Sequence, residues 1–171
     1  MHRILSSLTI VFVLLAVCPS AVTSSQEPTE EESIKDSINR VSQALSERSV
    51  EIYGSAVTED LLNMTLYAPG QDIVTTYGRQ ARLDQLEKVF FSDTKFETLA
   101  EMTPLEIHVS GDRAFVIVGG TLTYTPKQGI SDPGQQHKLD IYMFYFKHPK
   151  EGWQTERSMA IVRETKSLKP N

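Results

Sequence analysis

Two stretches of this chain are apolar on both faces of a two-residue alternation. Within 114–125, Val116, Val118 and Leu122 oppose Phe115 and Ile117; within 138–147, Leu139, Ile141 and Met143 oppose Tyr142, Phe144 and Phe146. Successive side chains of a strand point to opposite faces, and a sheet covered on one side alternates apolar with polar residues. These strands therefore predict a sheet covered on both faces. Helices encoded earlier in the chain supply one cover. The other is a second copy of the same chain, meeting the outer sheet face as a homodimer, or terminal segments folded back within a monomer.

The helices are legible upstream. Ile34, Ile38, Val41 and Leu45 lie on one stripe of a helix. Val50, Ile52, Tyr53 and Val57 predict a short second helix ending before a turn at Thr58-Glu59-Asp60. A hairpin follows, with strands over 61–67 and 73–77 around the turn Ala68-Pro69-Gly70-Gln71-Asp72. Gly78 opens a third helix carrying Leu83, Leu86, Val89 and Phe90. From there the chain reads as strands over 96–102, 105–109, 114–125, 138–147 and 153–163. Ser110-Gly111-Asp112 and Pro149-Lys150-Glu151-Gly152 make antiparallel hairpins of their neighbours, and 126–136, rich in Gly, Pro, Asp and Ser, reads as a mobile loop. Gly119-Gly120 interrupts the longest strand, where a bulge or bend is expected. The fold class is α+β, with N-terminal helices packed on a curved, mostly antiparallel sheet that encloses a hollow.

His2 and Arg3, the apolar run 8–17 and the small residues of 19–25 have the layout of a secretory signal. The run is shorter than the roughly 20 apolar residues a spanning helix needs. The expected organisation is a signal peptide over 1–25, cut after Ser20, Ser24 or Ser25, a flexible acidic leader over 26–32, one domain over 33–165 and a flexible tail over 166–171. The expected location is secreted or periplasmic, with no membrane span. Two alternatives stay open: an uncleaved anchor, and acylation at Cys18 of Leu15-Ala16-Val17-Cys18, where Val17 departs from the usual Gly, Ala or Ser.

Cys18 is the only cysteine, so the domain forms no internal disulfide and must rest on burial. With 17 Lys and Arg against 22 Asp and Glu, and no basic cluster interleaved with aromatics, the composition excludes nucleic acid as a partner. His108, His137 and His148 lack the paired spacing of metal ligands, and no phosphate loop, dinucleotide fingerprint or nucleophile elbow occurs, so neither a metal nor a cofactor is expected. Asn63-Met64-Thr65 fits the glycosylation acceptor pattern but lies inside a predicted strand.

Three local patterns, in this order and spacing, resemble the nuclear transport factor 2-like superfamily and its SnoaL-like group, from about Ser33 to Glu164. They are the helix pair followed by Thr58-Glu59-Asp60-Leu61-Leu62; Tyr77-Gly78-Arg79 opening a helix at Gln80; and the paired strands around Val109-Ser110-Gly111-Asp112-Arg113-Ala114 and Glu151-Gly152-Trp153-Gln154. The resemblance implies a cone-shaped α+β fold whose curved sheet and helices enclose a pocket, with the outer sheet face often making a dimer. That superfamily hosts isomerases, dehydratases, epoxide hydrolases and polyketide cyclases, and also domains with no chemistry, so the fold does not fix an activity.

The resemblance also directs attention to particular residues. Ketosteroid-isomerase-like members place a carboxylate base in the first hairpin and a protonated acid on a later strand. Here Tyr67 and Tyr142 stand near those positions, a departure that counts against that mechanism, and Asp72 reads as a solvated turn residue. Asp140 shares a strand face with Tyr142, Phe144 and Phe146; if that face lines the cavity, Asp140 gains a raised pKa and serves as a general acid or base, with His137 at the mouth. Otherwise Asp140 is a strand-end residue and His137 is solvated. Arg157 falls in phase with Trp153, Thr155, Met159 and Ile161, either to bind a ligand carboxylate or to pair with Asp140 or Glu156.

Three functional readings follow. The first is a domain binding a small, mostly apolar molecule, with Tyr53, Tyr67, Tyr124, Tyr142 and Trp153 as walls and Arg157 orienting a polar end. The second is a cofactor-independent isomerase, dehydratase or cyclase using Asp140 or His137. The third is a structural or accessory domain whose own side chains fill the cone.

Overall fold

In the computed structural model, which describes residues 28–66 and 73–169, the first helix begins earlier than its apolar stripe. Helix α1 (Glu30–Glu47) is capped by Thr29, whose hydroxyl accepts from the Glu32 backbone N–H while the Glu32 carboxylate accepts from the Thr29 backbone. This reciprocal cap recruits three residues assigned above to the flexible leader. Ile34, Ile38, Val41 and Ala44 are buried. The helix stops at Arg48, a non-glycine residue at φ 55°, whose guanidinium donates to the carbonyls of Asp93 and Phe96 and to the Thr98 hydroxyl. The signal segment with Cys18, and Tyr67 and Asp72 of the first hairpin, lie outside the described residues.

Helix α2 (Val50–Ser55) leads into strand β1 (Val57–Leu66). Thr58-Glu59-Asp60, expected as a turn, belongs to that strand, as an irregularity in its pairing with the last strand between Val57 and Leu62. After β2 (Ile73–Tyr77), Gly78 at φ 83° turns the chain into α3 (Arg79–Gln85). That conformation is open to glycine and strained for other residues. The helix widens into a π-helical turn over Leu86–Phe90, closed by the Phe91 N–H on the Leu86 carbonyl at 2.8 Å.

Four long strands follow: β3 (Phe96–Ser110), β4 (Arg113–Pro126), β5 (Gln135–His148) and β6 (Gly152–Ser167). The sheet order is β2-β1-β6-β5-β4-β3, with β1 and β6 parallel and every other pair antiparallel. The two strands expected over 96–102 and 105–109 are one strand, kinked where Leu105 is left out of register between Pro104 and Glu106. No register shift falls at Gly119-Gly120 itself; the shifts lie at Leu105 on β3 and on β6 near Arg163 and Glu156. Gly120 serves close approach instead, since a Cβ there would sit 3.1 Å from the Ile141 side chain.

The helices pack on one face of this curved sheet, so the α+β architecture is as expected. Val116, Val118, Ile141, Met143 and Tyr145 point to that inner face and are buried. Their alternates Phe115, Ile117, Tyr142 and Phe146 form the outer face together with Phe144, which is 46% exposed. Trp153 is buried in the core and donates its indole N–H to Glu30 Oε2 at 2.7 Å, beside Lys147, which also pairs with Glu30. Among the described residues no helix is long and apolar enough to cross a membrane.

Candidate functional site

The inner sheet face and the helices leave a hollow of about 490 Å³. Val41 and Leu45 of α1, Tyr53 of α2, and Leu86 and Phe90 of the π-helical turn line one side. Ile141, Met143, Leu139, Ala160 and Val162 line the sheet side. Leu86 and Phe90, four residues apart across this widened turn, both face inward. Exposed Val89, Asp93, Pro133 and Gln135 form the mouth.

Polar side chains interrupt these apolar walls at several points. Asn63 on β1 is 5% exposed and donates to the Ser158 hydroxyl on β6 at 2.6 Å, a contact set by the parallel register that pairs the two residues. The same burial removes the Asn63 amide from the surface, so the acceptor pattern noted above is inaccessible in the folded domain. Thr155 also lines the hollow, and its hydroxyl has no hydrogen-bond partner among the described residues; nor has that of Ser37 behind it. Burial pushes the Tyr145 phenol above its ordinary range; the Thr155 and Ser37 hydroxyls are near enough to oppose that shift but lack hydrogen-bond geometry of their own.

Apart from the phenols of Tyr53 and Tyr124, the ionisable side chains among the described residues of the lining are Arg48, Arg82, Asp93 and His137. Arg82 is 8% exposed. Its Nη1 donates to Gln85 Oε1 at 2.6 Å and its Nε lies 3.4 Å from the Tyr53 hydroxyl, while the guanidinium carbon sits 5.7 and 5.5 Å from the Tyr53 and Phe90 ring centres. Gln85 Oε1 is shared with the Thr76 hydroxyl at 2.8 Å. His137 approaches the Thr165 hydroxyl at 2.9 Å through Nδ1 and meets Tyr124 edge-on at 5.9 Å. Partial burial lowers its pKa, which disfavours the protonated ring.

The sequence-derived candidates divide between the two faces. Tyr53, Tyr124 and His137 line the hollow. Asp140 and Tyr142 do not: the inner residues of β5 are His137, Leu139, Ile141 and Met143, which puts the alternates on the outer face. There Asp140 accepts from Arg163 at 3.2 Å in a shallow groove with Glu101 and Lys138. With both faces apolar, the alternation did not say which was inner.

Arg157 is a correction of another kind. Phe144 pairs with Arg157 but Tyr145 pairs with Thr155, so Glu156 is an extra residue that reverses the alternation of β6. Trp153 and Thr155 point inward, whereas Arg157 is exposed on the outer side and Ser158 takes the inward position. Trp153 packs in the core behind the hollow and is not part of its lining.

Arg82, Asn63 and Ser158 were not singled out as site residues. Arg82 carried a usable signal: it lies four residues before Leu86, on the buried stripe of α3, where a cation has no reason to be unless something inside uses it.

Across known proteins, no family model and no curated protein matches this chain. Solved structures do. The chain is similar to a nuclear transport factor 2-like superfamily protein from Salmonella enterica serovar Typhimurium, at 14% identity and a TM-score of 0.63, over 79% of this chain and 92% of that one. The chain has the nuclear transport factor 2-like fold. A ketosteroid isomerase-like protein from Erwinia carotovora atroseptica is similar at 19% identity and a TM-score of 0.60, covering 77% of this chain and 94% of the other. The type 3 hexachlorocyclohexane dehydrochlorinase of Novosphingobium barchaimii is similar at 14% identity and 0.63, covering 81% and 89%. At these identities the likeness concerns the fold, and function must be argued from the hollow.

Proposed function

We propose that this chain is an exported domain that takes a small, mostly apolar molecule into the hollow between its helices and its sheet, and that two copies pair through the outer sheet face. The observation that carries the ligand reading is the hollow itself. About 490 Å³ of open space walled mainly by aliphatic and aromatic side chains is the size and character of a small-molecule site. A domain serving only as scaffold would gain stability by filling it. The test is a fluorescence titration with N-phenyl-1-naphthylamine, whose emission rises in apolar surroundings. Saturable binding at one site per chain, lost in a folded Ala160→Trp variant that plugs the hollow, is the expected result; signal unchanged in that variant refutes the reading.

Export is supported by the layout of residues 1–25. N-terminal sequencing of protein recovered outside the cytoplasm is expected to start at Ala21, Ser25 or Gln26, and an intact Met1 opposes it. Pairing is supported by the outer face, where Phe115 stacks against Tyr142 and packs 4.9 Å from Phe144. An exposed aromatic patch of this kind is covered when the same patch of a second copy meets it. Phe144→Glu is expected to halve the mass measured by light scattering.

A second reading, a proton-transfer enzyme, is favoured by one observation: His137, whose pKa partial burial lowers, stands on the wall of the hollow. Asp140 takes no part in it. Turnover of a ketosteroid or of hexachlorocyclohexane that disappears in His137→Gln supports this reading, and absence of turnover with both removes its present basis.

A further inference from the structure

We propose that the molecule held in the hollow carries an acidic group, and that Arg82 binds it: the ligand class is an amphiphilic carboxylate with an apolar body. This rests on the ligand-binding reading and specifies it. A guanidinium has five N–H donors. Arg82 spends one on Gln85 and one, at 3.4 Å, on Tyr53. Both partners are neutral, and among the described residues no carboxylate pairs with Arg82. Taking a charge out of water without a counter-charge is costly, and such a charge persists where something completes it. The two flanking rings hold the guanidinium in place, so its remaining donors stay fixed.

The other groups of the lining sharpen the assignment. Arg48 directs its donors to the Asp93 and Phe96 carbonyls and the Thr98 hydroxyl, so it is committed to the protein. Asp93 is exposed at the mouth, where its carboxylate accepts from the Lys95 backbone at 3.0 Å. Partial burial disfavours the protonated form of His137. Among the described residues of the lining, Arg82 is thus the cation left for a ligand, in a chain whose formal charge is −5. A planar fork matched to a carboxylate is the recognition an arginine provides and a lysine does not.

The experiment compares two probes of the same shape, 1-naphthylacetate and 1-naphthylacetamide, by calorimetric titration at pH 7. The wild type is expected to bind the acetate about tenfold or more tightly than the amide, the lower end of what a charge-assisted hydrogen bond contributes. In Arg82→Met that ratio falls to about one, and in Arg82→Lys it lies between. Arg82→Met is also expected to melt at or above the wild-type temperature, because an uncompensated buried charge has been removed. Were Arg82 only structural, melting would fall and the ratio would persist. If Arg82→Met does not fold, Arg82→Lys decides: an undiminished ratio overturns the assignment. Equal binding of acetate and amide by the wild type overturns the carboxylate proposal and leaves the apolar site standing. Binding of neither overturns both.

Discussion

Arg48 closes the first helix and anchors the start of β3, and its removal is expected to cost a predictable amount. Its guanidinium makes two hydrogen bonds to carbonyls and two to the Thr98 hydroxyl, at 3.0 and 3.3 Å. Hydrogen bonds from a charged donor contribute roughly 1.5–3 kcal/mol each when buried; these are partly exposed and share acceptors, so about 2–3 kcal/mol for the set is reasonable. Arg48 also sits at φ 55°, which costs a non-glycine residue roughly 1 kcal/mol. Arg48→Ala loses the clamp and keeps the strain, predicting a loss of about 2–3 kcal/mol. Arg48→Gly loses the clamp but relieves the strain, predicting about 1–2 kcal/mol. Urea unfolding at pH 7 measures both, as midpoint shifts at unchanged slope. A glycine variant no more stable than the alanine variant refutes the left-handed term; an alanine variant within about 0.5 kcal/mol of wild type refutes the clamp.

Three shorter predictions follow from the same geometry. Lys147 first, and then the Trp153 indole, hold the Glu30 carboxyl below its ordinary pKa; that stability is present above the unfolded value and is lost as pH falls through the folded one. Melting temperature should therefore fall more steeply for wild type than for Glu30→Gln as pH is lowered from 6 to 3. Asn63→Ala leaves the Ser158 hydroxyl unpaired in an apolar wall and should cost about 1–3 kcal/mol in urea unfolding, while Asn63→Leu with Ser158→Ala recovers much of that. Asp140→Asn, on the outer face, should leave naphthylamine affinity within about twofold of wild type in the same titration; a tenfold change would place Asp140 in the hollow.

The sequence conveyed the layers and the order of elements because both follow from periodicity. Ile34, Ile38 and Val41 mark a helix whatever packs on it, and the turns at Gly111 and Gly152 make hairpins whatever their strands face. It did not convey the site, for two physical reasons. β5 is apolar on both sides, so composition does not say whether Asp140 or Leu139 points inward; only packing against α1 and α2 decides. β6 contains an extra residue at Glu156, and one inserted residue moves every later side chain to the opposite face. Arg157 was therefore placed where Ser158 stands. Nothing about Glu156 in the sequence announces a bulge; the shift is seen only in how β6 pairs with β5. Arg82 was legible as a cation on an apolar stripe, and its surroundings, Tyr53 on α2 and Phe90 on the widened turn, become neighbours only in the fold.

The most direct measurement is a crystal structure of the domain soaked with N-phenyl-1-naphthylamine. The account predicts ligand density inside the hollow, in contact with Tyr53, Phe90, Ile141 and Met143. Density confined to the outer face beside Phe144, or a hollow closed by its own side chains, would contradict it.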